Sequence, residues 1–346
     1  MAIASRARDD EAIRRGIEAW LRASEPGHAD ATVGPPSRPA AGLSSDTCFL
    51  TVTRQQRTED IVVRLPPAGE GLFPEYDVAQ QVAVQNALHT AGIPTVPARY
   101  EPDDAWLGVP FMVMPRIEGH VLATNPPYPT AGWLVDGGPE RQRRVLHAFL
   151  TTLAALHRTP PAVLSTRTTD APTLATTLAQ WDDYLAWAAG ATAPPAYLLD
   201  AARWCRDHVP TVAGPPAIVW GDAQLANCVL HDDGEIAALL DFELAGFGPP
   251  ELDLGWYYAL HDMTVATAGG ADLPGFGTRA EQLAVYEAAL GRPVADLAWF
   301  EVFALVRSGS IMVRIARLLA AQGVDDSWLT RGNPTQAALD RLLAGE

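Results

Sequence analysis

The chain has 346 residues, enough for two lobes that each bury a core, and 48% hydrophobic with 19% charged residues is the profile of a soluble globular protein. Its formal net charge of −16 argues against nucleic acid as a partner, because no basic surface is available to neutralise phosphates. All 25 basic residues are arginine, so any role usually given to lysine must fall to another side chain.

The first lobe is rich in predicted strands. Ile13, Ile17, Trp20 and Leu21 form one apolar stripe, which predicts an amphipathic helix over 9–24. A Pro, Gly and Ser-rich loop follows to about residue 45. "TCFLTVT" (47–53) and "DIVVRLP" (60–66) are dense in β-branched residues and read as strands joined by a polar turn. "VAQQVAVQNALHTAG" (78–92) predicts a helix ended by Gly92 and Pro94, and short strands are expected near 97–100 and 110–114.

After Gly119 the pattern becomes helical. Pro139 opens and Pro160 closes a segment whose apolar face is Val145, Leu146, Phe149, Leu150, Leu153 and Leu156. Helices are also expected over 174–189, 196–208, 279–290 and 296–322. The last is interrupted by Glu301, Arg307, Arg314 and Arg317, as a core helix would be and a membrane span would not. No apolar segment follows the charged start "MAIASRARDDEAIRRG", so no signal peptide is expected. Cys48, Cys205 and Cys228 form no CxxC pair and read as buried small hydrophobes of a reducing compartment. Together these imply a cytoplasmic chain without a membrane anchor. They say nothing of its oligomeric state.

The chemistry concentrates in "VWGDAQLANCVL" (219–230) and the "DFE" that begins at Asp241. Asp222 and Asn227 have four residues between them, the spacing of phosphoryl-transfer catalytic loops, which need one carboxylate for the attacking hydroxyl and oxygen ligands for Mg²⁺. The intervening "CVLHDDGEIAALL" reads as a hairpin turning at Asp233-Gly234. With Gly234 at its centre, Asn227 would face Asp241, at the roughly 4.5–5.5 Å Cα separation of opposed residues. The bland alternative makes all three residues ordinary turn and strand-end polar groups. No GxSxG, HExxH or paired Cys/His cluster supports a hydrolase or another metal class, and the best histidine pair, His147 and His157, sits ten apart on one helix.

"WGDAQLANCVL…IAALLDFELAGFGPPELDLGWYY" resembles the aminoglycoside phosphotransferase/choline kinase-like family, from about 40 to about 320 and most strongly over 218–258. The resemblance implies an α+β, bilobal protein-kinase-like fold. Its N-terminal nucleotide-binding lobe would span 1–117, with a hinge at about 114–119. Its helical C-terminal lobe would span 118–346 and carry the catalytic loop and acceptor pocket. It implies phosphate transfer from ATP or GTP to a small-molecule hydroxyl, with Asp222 as base and Asn227 and Asp241 as Mg²⁺ ligands. Gly42, Ser44 and Ser45 would lie in the nucleotide-positioning loop. Arg64 stands where kinases place lysine, and guanidinium can contact phosphate bidentately. The helix glutamate that usually pairs with that cation is Gln81 here, with Glu75 nearby. Pro115 would offer its carbonyl and Ile117 its N–H to the base, with Ile61 and Met114 enclosing it. Asp253 would support the catalytic region from the C-terminal lobe. Trp220 replaces the usual His, and we expect it to fill a packing role. The acceptor could be an antibiotic or another hydroxylated metabolite, and a nucleotide-binding pseudokinase is the alternative function.

Overall fold

The computed structural model describes residues 8–24, 27–39, 44–55, 57–164, 172–212, 214–325 and 333–344. Two compact units emerge, one formed by residues 1–89 and 96–117, the other by 90–95 and 118–346.

The smaller unit is a five-stranded antiparallel sheet faced by a helix. Its elements are α1 (Asp10–Ser24), β1 (Thr32–Val33), β2 (Asp46–Arg54), β3 (Arg57–Leu65), α2 (Val78–Thr90), β4 (Arg99–Glu101) and β5 (Phe111–Pro115), and the strand order is β1-β2-β3-β5-β4. β2 alternates as the period of a half-buried strand demands, turning Cys48, Leu50 and Val52 inward. These meet Ile13, Ile17 and Trp20 of α1, and Trp20 packs edge-on against Phe111 at 5.5 Å between ring centroids. The Trp20 indole N–H is not wasted in this core, because it donates to Glu101 Oε2 at 2.7 Å.

The larger unit contains β6 (His120–Val121), α3 (Trp133–Asp136), α4 (Gly138–Arg158), α5 (Leu174–Ala189), α6 (Ala196–Asp207), β7 (Ala217–Val219), β8 (Cys228–Leu230), β9 (Ile236–Leu239), β10 (Gly246–Gly248), α7 (Glu251–Thr267), α8 (Arg279–Leu290), α9 (Leu297–Ala320) and α10 (Pro334–Ala344). Its core lies where α5, α6, α7 and α9 meet. α7 is buried without interruption from Glu251 to Ala259, so it shows no polar face and no periodic stripe. Gly255 lets α7 lie directly on α9, since a Cβ there would come within 2.6 Å of Phe300 Cβ. α8 begins with a capping box between Thr278 and Glu281 and ends at Gly291 in the left-handed conformation.

The expected hairpin exists, but its register differs from the expectation. Cys228 pairs with Leu239 and Val229 with Ala238, and a bulge between Val229 and Leu230 offsets the rest. Asn227 therefore stands level with Leu240, whose N–H donates to the Asn227 carbonyl at 2.9 Å. The turn is centred on Asp233 rather than Gly234, since Leu230 faces Ile236, and the extra residue, Ala237, recovers only one of the two places this costs, leaving Asn227 one place short of Asp241.

Candidate active site

The loop between β7 and β8 carries the site and is clamped from its inner side. Asp253, on the first turn of α7, is fully buried. Its Oδ2 accepts the backbone N–H of Trp220 at 2.6 Å, and its Oδ1 accepts that of Gly221 at 2.7 Å. The His157 Nε2–H of α4 donates to the same Oδ2 at 2.9 Å, and His157 Nδ1 lies 2.6 Å from the Tyr286 hydroxyl. One carboxylate thus joins two helices to the loop. Gly221 is required in this bend. Its φ is +88°, and a Cβ there would collide with the Leu244 carbonyl oxygen at 2.1 Å.

Arg307 of α9 closes the clamp from a second direction. Its guanidinium donates to the Gly221 carbonyl at 2.9 Å and stacks over the rings of Trp256 and Trp181 at 4.5 and 5.0 Å. Burial pulls this group down to about 10, against the favourable charges of Asp253 and Asp222, so it stays cationic at neutral pH. Trp220 is fully buried, and its indole N–H donates to the carbonyls of Leu240 and Asp241 at 2.8 and 3.1 Å. It therefore does more than fill space: it ties the loop between β7 and β8 to the start of "DFE".

At the loop's outer end, Asp222 is half-buried and accepts only from side chains. Asn227 Nδ2 donates to Oδ2 at 2.7 Å. Gln224 Nε2 and the Trp256 indole N–H donate to Oδ1 at 2.7 and 2.8 Å. Burial and the neighbouring Asp241 carboxylate push Asp222 up to about 6 from the usual 3.8, while those three bonds pull the other way. Asp241 itself follows the end of β9 with a φ of 62°, a left-handed conformation uncommon outside glycine and often found at functional positions.

Five of the expected site residues, Trp220, Asp222, Asn227, Asp241 and Asp253, thus fall into one connected network of the larger unit. In the smaller unit, Arg64 donates to Ser45 Oγ at 3.2 Å. Ser44 is half-buried, Gln81 is buried on α2, and Glu75 is exposed. Val62 pairs with Met114 and Ile61 with Pro115 across β3 and β5, while Ile117 is exposed. Gly42 lies outside the described residues. Three contributors were not expected from sequence. Gln224 donates to Asp222 within the motif itself. Trp256 reaches Asp222 and Arg307 reaches the Gly221 carbonyl, from 34 and 86 residues away along the chain, with no local signal to mark them.

A small mixed unit built on an antiparallel sheet, a larger helical unit, and an Asp–Asn–Asp loop over a buried anchor carboxylate define a protein-kinase-like α+β phosphotransferase. The sequence model of the phosphotransferase enzyme family matches residues 37–303, and the chain belongs to that family. Solved structures agree on the fold. A protein from Ralstonia eutropha JMP134 described as a candidate aminoglycoside phosphotransferase superposes with a TM-score of 0.65 at 20% identity, over 96% of this chain and 94% of that one. A macrolide 2'-phosphotransferase type I gives 0.56 at 19% identity, over 94% and 95%. The GDP and kanamycin complex of APH(2")-IIia gives 0.58 at 13% identity, over 95% and 99%. The chain is accordingly a phosphotransferase. Among the described residues no helix is long and apolar enough to cross a membrane.

Proposed function

We propose that this protein transfers the terminal phosphoryl group of ATP or GTP to a hydroxyl of a small molecule, with Asp222 as the base. The observation that carries this reading is the state of Asp222. It is fixed by three donors, partly open to solvent, and raised to about 6, so at neutral pH it is ionised yet basic enough to take a proton. In the reaction the acceptor oxygen bonds to the γ-phosphorus, the bond from that phosphorus to the β,γ-bridging oxygen breaks, and the hydroxyl proton passes to Asp222. The nucleoside diphosphate leaves.

Asn227 and Asp241 suit Mg²⁺. Both offer oxygen, and Asn227 commits its amide nitrogen to Asp222, which leaves its carbonyl oxygen for a ligand. The repulsion between Asp222 and Asp241 is what a cation beside them would relieve. When bound, Mg²⁺ would neutralise phosphate charge. We assign phosphate contacts in the smaller unit to Arg64, Ser44 and Ser45. We assign base contacts to the Pro115 carbonyl and the Ile117 N–H, with Ile61 and Met114 against the ring. The three free, buried cysteines fit a cytoplasmic chain.

Some proteins of similar fold are named for aminoglycosides and others for macrolides, and this chain's acceptor is a hydroxylated compound of that general kind, an antibiotic among the candidates. The test is a panel of hydroxylated antibiotics and metabolites incubated with ATP or GTP and Mg²⁺, read as a mass gain of one phosphate. Nucleotide binding without transfer to any acceptor would instead identify a pseudokinase.

A further inference from the structure

A recess opens beside the catalytic loop within the larger unit, bounded by residues 124–128, by 224–226 and by α7. Its volume is about 60 Å³. One water needs at least roughly 10–15 Å³ on this measure, so there is room for about four waters or the polar edge of one small ring. Gln224 both lines this recess and donates to Asp222, so the recess adjoins the reacting centre.

The character of the wall is unusual for so acidic a chain. Among the described lining residues there is no carboxylate and no guanidinium. Leu225, Leu260 and the Tyr257 ring supply apolar surface, and Thr264, Gln224 and Tyr128 supply neutral polar atoms. No lining carboxylate is there to pair with an ammonium group directly, and Asp272 and Asp262 act on Tyr128 only from outside the lining, so desolvating such a group there would be poorly offset. An uncharged hydroxylated group would keep its hydrogen bonds and gain apolar contact.

One polar element of this wall is fixed in orientation. Tyr128 and His261 are both buried, and Tyr128 Oη lies 2.6 Å from His261 Nδ1. His261 Nε2 lies 2.9 Å from Asp272 Oδ2. A carboxylate only accepts, so Nε2 carries a hydrogen, and in the neutral tautomer Nδ1 accepts from the Tyr128 hydroxyl. The Tyr128 hydrogen is then committed, and the oxygen's remaining lone pair is an acceptor for a ligand hydroxyl. Asp272 stands one step behind the wall, where it accepts from His261.

We propose that this recess selects uncharged hydroxylated acceptors over polycationic ones, with Tyr128, oriented by His261 and Asp272, accepting a hydrogen bond from an acceptor hydroxyl. This rests on the kinase reading above and names the substrate class for it. Tyr128 is a positioning residue, and it takes no proton in the reaction.

The test compares two acceptor sets on the full chain with ATP, GTP and Mg²⁺: uncharged alkyl and aryl glycosides against kanamycin as the polycation probe. The best uncharged acceptor should show a KM at least 10-fold below that of kanamycin. Tyr128→Phe should raise that KM about 10-fold, the worth of one hydrogen bond. It should leave kcat within about threefold and the nucleotide KM unchanged, a split that mere loss of stability would not produce. Thr264→Asp, which puts a carboxylate into the wall, should weaken the uncharged acceptor and improve kanamycin, and it checks the idea independently should the tyrosine variant fold poorly. Phosphorylation of kanamycin in preference to every glycoside, or an unchanged acceptor KM in Tyr128→Phe, overturns the proposal and leaves the kinase reading standing. No transfer to either set, with nucleotide turnover indifferent to Asp222→Asn, overturns both.

Discussion

Asp253 and Asp222 are two carboxylates of one network, held in different ways. Beneath the loop, Asp253 accepts two backbone N–H groups and a histidine, with the Arg307 cation favouring its charge from nearby. At the tip, Asp222 accepts from three side chains, is partly exposed, and feels the repulsion of Asp241. Backbone donors cannot rearrange without unfolding the loop, whereas side-chain donors can follow a carboxylate through a change of charge. On the proposed reading, the difference separates a group whose charge holds structure together from one whose charge is available for proton transfer.

Exchanging the charge at each end should break the comparison in opposite ways. Asp222→Asn should lower kcat by about 10³-fold, within the range that a positioned base supplies, while nucleotide affinity measured by calorimetry stays close to wild type. Asp253→Asn should act mainly on stability. It replaces one of two charged acceptors with an amide N–H₂ facing a backbone N–H, and it leaves the Arg307 cation with less compensation. A loss of about 3–5 kcal/mol in denaturant unfolding is expected, with activity falling only as the folded fraction falls. If Asp253→Asn folded normally and lost only turnover, the anchor reading would be wrong.

Trp220 lies between these extremes. Trp220→Ala should cost about 3–5 kcal/mol, because it empties a large buried site and frees two carbonyls. Trp220→His keeps a ring N–H and part of the volume. It should cost roughly 1–3 kcal/mol in unfolding and keep kcat within about 10-fold, since the ring orients the loop and does not touch the acceptor proton. Abolished turnover in a folded Trp220→His protein would show that this position does chemistry.

How much of this was legible depended on whether the cause was local. The strands and amphipathic helices follow from period and punctuation, and the predicted limits of 174–189 and 279–290 coincide with α5 and α8. The D-x4-N spacing is local too, and Asn227 does bond to Asp222. What escaped was set by tertiary packing. α7 has no apolar stripe to find, because every side is covered from Glu251 to Ala259. The turn is centred on Asp233 rather than Gly234, and the bulge at Ala237 makes up only one of the two places this costs, so Asn227 faces Leu240. Arg307 read as a polar interruption of a long helix, and its partner is a carbonyl 86 residues away. His157 looked like half of a histidine pair on one helix, yet it serves Asp253.

The smallest effect tests the comparison most finely, because it asks whether the charge on Asp222 costs the folded protein stability. Asp222 is raised from 3.8 to about 6, so ionising it costs the folded protein stability that the unfolded chain does not lose. Below about pH 4 the carboxyl is protonated in both states and nothing is gained by removing its charge. As pH rises through about 6 the folded state must carry the charge against Asp241, and the penalty is complete above that. A shift of this size is worth at most about 3 kcal/mol, and partial exposure together with the weaker hydrogen bonds of an amide brings the expectation to about 1–2 kcal/mol. Asp222→Asn should therefore match wild type in unfolding stability at pH 4 and exceed it at pH 8, as Asp253→Asn should not at either. The same titration predicts that wild-type kcat/KM falls on the acid side, because only the ionised carboxylate can accept the proton. A stability difference that is flat from pH 4 to 8 would mean that Asp222 carries no strain from its neighbour. The tip of the loop would then be as well satisfied as its base.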